Sequence, residues 1–231
     1  MDASHSIEER LAQVRRQIND ACARYGRDPA SARLLAVSKT KPLADIIEAM
    51  ACGQRDFGEN YLQEAIDKIE RSDGATWHFI GAIQSNKTTP IATHFDWVHT
   101  LASGKHARRL SEARPPERGP LNVLLQVNIA NEDTKAGLAA SAVREVAETV
   151  LGYPNLALRG LMAIPRPEQD FDAQRAQFRA LAELREETAS ALGLTGFNEL
   201  SMGMSADLEA AIAEGSTWLR VGTAIFGARQ T

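Results

Sequence analysis

From Arg33 onward, eight short apolar runs are separated by segments of helical period. The runs fall at Arg33–Ser38, Asp56–Gly58, Trp77–Ile80, Trp97–Thr100, Asn122–Ile129, Ala157–Ala163, Glu199–Ser201 and Trp218–Val221. The helical patterns are Leu43–Ala51, Glu59–Arg71, Asn86–His94, Gly104–Ala113, Ala140–Leu151, Phe171–Leu192 and Ser205–Glu214. Continuous apolar runs suit strands buried on both faces, the condition of a parallel sheet covered by helices. Eight such units in 231 residues predict an α/β fold, a single (β/α)8 TIM barrel spanning 1–231. The rival is an open doubly wound sheet, which usually has fewer strands and often a glycine-rich first turn. Here the first turn is Ser38-Lys39-Thr40-Lys41-Pro42, and Pro42 suits the first residue of a helix. A further helix leads the chain: Ile7, Leu11, Val14, Ile18 and Tyr25 recur at helical spacing until Gly26 and Pro29 end the pattern. It is expected to cover the amino-terminal mouth of the barrel. Arg114–Pro120 reads as a loop before the fifth strand, not as a linker.

The charge balance narrows the function classes. With 26 basic and 30 acidic residues the net charge is −4, and no basic block suggests nucleic acid. The short cluster Lys105-His106-Ala107-Arg108-Arg109 reads as a solvated helix face. Cys22 and Cys52 make no disulfide framework and have no metal-ligand spacing. No apolar stretch approaches the roughly 18 residues a membrane helix needs. Met1–His5 lacks the features of a signal peptide, so a cytoplasmic protein is expected.

In a barrel the loops after the strands converge on one mouth, and chemistry is placed there. Lys39 ends the first apolar run, where a desolvated amine has a lowered pKa and can form a Schiff base with a carbonyl. The loops after strands seven and eight carry Ser201, Ser205, Gly222 and Thr223. Hydroxyls, a glycine and successive backbone N–H groups are what a phosphate site requires. The same residues also serve as ordinary turn and cap residues, Ser205 as an N-cap. Arg220 ends the last strand facing the mouth. Beside a pyridine nitrogen it would disfavour protonation there; otherwise it would form a salt bridge with a nearby carboxylate. Asn60, Gln84 and Asn86 could fix a flat ring by hydrogen bonds, and Met162, Met202 and Met204 could line its faces or pack the barrel. His78, inside an apolar strand, reads as a barrel histidine rather than a catalytic one. His94 and His99 lack metal spacing.

The segments Ala36–Lys41, Phe57–Tyr61, Trp77–Gly81, Gln84–Lys87, Gly160–Ile164, Leu200–Ser205 and Arg220–Gly227 together resemble the YggS/PROSC-type pyridoxal phosphate homeostasis proteins, from about residue 7 to the end. The resemblance implies a fold-type III barrel like the amino-terminal domain of alanine racemase. It implies pyridoxal 5'-phosphate (PLP) held as an internal aldimine on Lys39. It implies a phosphate cup from Ser201, Gly222 and Thr223, with Ser205 a further member. It implies Arg220 near the pyridine nitrogen and Asn60 and Met162 around the ring. Ala82 stands where many members carry proline.

The expected function is to hold PLP, with a part in intracellular vitamin B6 homeostasis and, indirectly, amino-acid metabolism. The partners are PLP itself and PLP-dependent apoenzymes as acceptors. The alternative is a weak PLP-dependent racemase. Racemases take a second base, a tyrosine, from a carboxyl-terminal β-domain of a partner subunit. This sequence reaches Thr231 a few residues past its last strand without such a domain, so an enzyme is not expected and a monomer is. One missing general base removes roughly 10²–10⁴-fold in rate. A third reading, an aldolase using Lys39 without a cofactor, would require a colourless protein.

Overall fold

The computed structural model describes residues 6–130 and 136–228, so the Met1–His5 reading and the end at Thr231 lie outside the described residues. Eight parallel strands close into a barrel in sequence order. They are β1 (Arg33–Val37), β2 (Asp56–Glu59), β3 (Thr76–Phe79), β4 (Trp97–Leu101), β5 (Leu121–Gln126), β6 (Leu156–Met162), β7 (Glu199–Ser201) and β8 (Trp218–Val221). The helices are α1 (Ile7–Arg24), α2 (Leu43–Ala51), α3 (Leu62–Ile69), α4 (Thr88–His94), α5 (Gly104–Ala113), α6 (Val143–Leu151), α7 (Phe171–Leu192), α8 (Leu208–Ala213) and α9 (Thr223–Phe226). The barrel expected from the alternation is therefore the fold. No described helix is long and apolar enough to cross a membrane.

Closure occurs between the first and last strands, where Ala36 stands opposite Val221. Side chains alternate across the wall, as strand geometry requires. Ala36, Phe57, Trp77, Val98 and Val123 are buried. Residues of the other parity carry the polar groups of the interior: His78 and His99 bond to each other, and Ser201 bonds to Arg220. Trp97 and Trp218 pack among them with ring centroids 5.5 Å apart.

Helix α1 does not cover the amino-terminal mouth. It packs on the outer ring against α2, α8 and α9. The reason lies in the last unit: α9 has only four residues and leaves the wall beside β8 and β1 uncovered. The stripe Ile7, Leu11, Val14 and Ile18 buries against that gap. Ser6 and Glu9 start the helix with a reciprocal capping box.

Other boundaries shift for local reasons. Pro42 is the N-cap of α2 rather than its first residue, with extended backbone. Glu59 belongs to β2, so α3 starts at Leu62. Single 3-10 turns at Ser85–Lys87 and Ala140–Ala142 precede α4 and α6. Helix α8 starts at Leu208 because Asp207 turns back to accept the Met204 amide at 2.6 Å.

Candidate functional site

Lys39 sits in the turn after β1, and the backbone on both sides of it is clamped. Lys68 of α3 donates its Nζ to the Ser38 carbonyl at 3.0 Å and to Glu59 Oε1 at 2.7 Å, and it pairs with Glu64. The Ser38 hydroxyl donates to the same Glu59 oxygen at 2.7 Å. The Thr40 amide donates to Glu64 at 2.7 Å. Thr40 itself is held at φ 63°, a left-handed conformation that a β-branched residue rarely adopts. Glu59 is 0 % exposed, and its Oε2 has no hydrogen-bond partner. Burial pushes its carboxyl up from the ordinary range, while the Lys68 ammonium pulls it back. The turn that carries Lys39 is thus pinned to a buried charge cluster behind the barrel wall.

The end of β8 lies beside that turn. A Cβ on Gly222 would stand 3.1 Å from the Val37 carbonyl oxygen and 3.3 Å from Val37 Cβ, so a side chain there would press on β1 two residues before Lys39. Thr223 is exposed and heads α9. Past it, Lys41 Nζ donates to the carbonyls of Phe226, Gly227 and Ala228 at 3.0, 3.1 and 2.8 Å. These bonds staple the first βα loop to the last one.

Arg220 is 5 % exposed. It donates Nη1 to the Ser201 hydroxyl at 2.8 Å and Nη2 to the Ala163 carbonyl at 3.0 Å. Among the described residues it makes no carboxylate ion pair. Burial pulls it down to about 10, with the Asp207 charge opposing, so it stays a cation at neutral pH. Ser201 is fully buried and stands opposite Met162 in the β6–β7 register. Its oxygen also lies 2.8 Å from His99 Nδ1.

Asn60 follows β2, and its Oδ1 is buried without a partner among the described residues. A Cβ on Gly81 would stand 2.3 Å from the Asn60 carbonyl oxygen, so glycine is what lets this loop settle on the end of β3. Buried acceptors without donors are rare and mark places where a further group fits. Lys39, Asn60, Met162, Ser201, Arg220, Gly222 and Thr223 therefore all belong to the carboxyl-terminal ends of the strands. Ser205 stands apart. It is exposed in the turn before α8 and lines a surface groove with Gln17 and Arg24 of α1.

Sequence reasoning passed over the clamp residues Ser38, Glu59, Glu64 and Lys68. It took His99 only as a histidine without metal spacing; its barrel-interior parity with Trp97, a regularity that β4 displays, could have flagged it.

The sequence profile of the alanine racemase N-terminal domain matches residues 10–230. A protein of Pseudomonas aeruginosa named pyridoxal phosphate homeostasis protein is 56% identical over 226 residues, covering 97% of this chain and 96% of its own. The structure of PipY from Synechococcus elongatus with PLP bound has a TM-score of 0.84 at 37% identity, over 96% of this chain and 100% of that one. Alanine racemase of Clostridium difficile has a TM-score of 0.72 at 12% identity, over 94% of this chain and 57% of its own, which is a likeness of fold.

Proposed function

The chain belongs to the family of pyridoxal phosphate homeostasis proteins, built on the alanine racemase N-terminal domain, and from that premise we propose that it binds PLP at Lys39 and takes part in vitamin B6 homeostasis. The observation that carries this reading is the clamped Lys39 turn lying against the glycine face of Gly222. When bound, PLP supplies an aldehyde that forms a reversible imine with a lysine amine, and an incoming amine can displace it.

The residues present fit such a ligand. Gly222 lets the end of β8 settle against β1, the exposed Thr223 offers a hydroxyl to a phosphate, and the first amides of a helix have no partner within it. Arg220 is a buried cation without a carboxylate partner, which favours a nearby anionic group and disfavours a second positive charge. Asn60 Oδ1 offers a buried acceptor, and Met162 an apolar wall. Ser201 contributes through its place beside Arg220, and Ser205 is the outermost member of the set. The clamp on Ser38 and Thr40 fixes the backbone on either side of Lys39.

Holding and handing over the cofactor suits this chain better than turnover. Of its three tyrosines, Tyr25 bonds Glu209 on the outer ring at 3.1 Å, Tyr153 precedes β6, and Tyr61 is 53% exposed. A racemase needs a second positioned base, and these placements argue for weak turnover at most. The same reading takes PLP-dependent apoenzymes as acceptors and a single domain acting as a monomer. It places the protein in the cytoplasm, consistent with free thiols at Cys22 and Cys52.

Borohydride treatment of the PLP-loaded protein, followed by peptide mapping, is expected to label Lys39. A Lys39→Ala protein that still yields the reduced adduct sinks the assignment. Solvent-deuterium exchange at the α-carbon of alanine, at racemase-like rates and lost in Lys39→Ala, would favour the enzyme instead.

A further inference from the structure

A file of polar side chains crosses the barrel interior from end to end. At the amino-terminal end Asp56, with 28% of its side chain exposed, lines a cavity of about 310 Å³ together with Arg33 and Gln54. Asp56 Oδ1 lies 3.1 Å from His78 Nε2. His78 Nδ1 lies 2.9 Å from His99 Nε2. His99 Nδ1 lies 2.8 Å from the Ser201 oxygen, which also faces Arg220 Nη1 at 2.8 Å. Both imidazoles are wholly buried. His78 stacks on Trp97 at an interplanar angle of 8° and meets Trp218 edge-on.

The chemistry of the two ends fixes the direction of every bond between them. A carboxylate only accepts, so His78 must carry its proton on Nε2. Burial keeps both rings neutral, with one N–H each. His78 Nδ1 is then an acceptor, and His99 must donate from Nε2. His99 Nδ1 is in turn an acceptor, and Ser201 must donate its hydroxyl hydrogen inward. The guanidinium only donates, so it takes the lone pair that Ser201 turns toward the mouth. With both rings neutral, no other arrangement satisfies all four contacts.

We infer that His78 and His99 are positioning residues, which lock the Ser201 hydroxyl hydrogen toward the barrel interior and thereby fix the guanidinium of Arg220 at the carboxyl-terminal mouth. The Ala163 carbonyl holds the second Nη and completes a two-point mount. Ser201 thus acts through Arg220, and its hydroxyl hydrogen is withheld from any phosphate. The consequence for a bound cofactor rests on the proposed PLP site; the bond directions do not.

The test separates the two. Imidazole ¹⁵N–¹H correlation spectra of the protein without cofactor are expected to show His78 and His99 as neutral Nε2–H tautomers. An Nδ1–H tautomer or a charged ring at either position overturns the inference. In the PLP-loaded protein, His99→Leu frees the Ser201 hydroxyl without touching the cofactor. It is expected to weaken PLP retention about three- to ten-fold, the worth of one neutral hydrogen bond, and to move the absorption band of the bound cofactor. His99→Gln, whose amide keeps an acceptor and a donor, is expected to restore most of both. A folded His99→Leu protein with unchanged retention and spectrum overturns the link to Arg220. If His99→Leu does not fold, the tautomers and His99→Gln decide. Nε2–H tautomers in a protein that takes up no PLP would refute the cofactor reading alone.

Discussion

Replacing Lys68 by methionine isolates the buried cluster behind Lys39. The substitution keeps the apolar stem and removes the ammonium that contacts Glu59 Oε1, Glu64 and the Ser38 carbonyl. Glu59 is 0 % exposed, and its other oxygen already lacks a partner, so its charge would rest on the Ser38 hydroxyl alone. Removing one partner of a buried pair costs about 3–5 kcal/mol. For a chain of 231 residues this corresponds to a fall in Tm of roughly 10 °C, at about 2–4 °C per kcal/mol. The loss depends on pH with a definite sign. The Glu59 carboxyl is raised in the folded state. A raised carboxyl contributes stability that is fully present below its unfolded pKa of about 4.3 and is lost as pH rises through the folded value. Lys68 is the main influence lowering that value, so its removal raises the carboxyl further and concentrates the damage at neutral pH. Urea unfolding followed by circular dichroism should give the full loss at pH 7.5. At pH 5 the loss should be smaller, because the raised carboxyl is closer to taking up a proton, and it should tend toward about 1–2 kcal/mol as the pH falls further, the worth of the other broken bonds. Adding Glu59→Gln should recover at least about 2 kcal/mol at pH 7.5, because the orphaned charge is gone. A difference from wild type below about 1 kcal/mol at pH 7.5, or one equal at the two pH values, refutes the reasoning.

Two other perturbations probe the mouth. Arg220→Gln removes a buried cation that makes no carboxylate ion pair among the described residues. It should leave the cofactor-free protein as stable as wild type or about 1–3 kcal/mol more so, while PLP retention after gel filtration falls at least about ten-fold; a marked drop in Tm without cofactor would count against this. Gly222→Ala forces a Cβ to within 3.1 Å of the Val37 carbonyl. It should cost about 1–3 kcal/mol and reduce borohydride labelling of Lys39; a variant with unchanged stability and labelling would refute the close approach.

The fold was legible because the barrel repeats one simple pattern. Runs such as Leu34-Leu35-Ala36-Val37 have no polar alternation, and only a sheet covered on its outside and filled on its inside accepts eight of them. What the pattern could not supply was the place of α1. Its amphipathic stripe said that one face is buried, but not against what. That depended on α9 stopping after four residues, a shortage visible only once the ring is assembled. The site divides in the same way. Lys39, Arg220 and Gly222 stood out as candidates because each is out of character for its position. Ser38, Glu59 and Lys68 could not, since they come from three elements and look like ordinary polar residues until packing buries them together. Ser201 was found with its hydroxyl assigned to a phosphate. The structure sets its oxygen against His99 as well as Arg220, because His99, 102 residues away in sequence, arrives on the same interior row.

The seam between β1 and β8 has a consequence for how the chain assembles. β1 lacks one neighbour until β8 exists, and α1 has only α2 to rest on until α8 and α9 are in place. The first segments to be synthesised thus wait for the last, and closing so long a loop is entropically slow. The staples across that seam are Lys41 on the carbonyls at and just after the end of α9 and Gly222 against Val37. A ligand anchored on Lys39 and gripped by the Gly222 loop would straddle the same seam. Loading would then act as a late folding event, a latch on the ring, and barrels emptied of ligand should open first between their first and last strands.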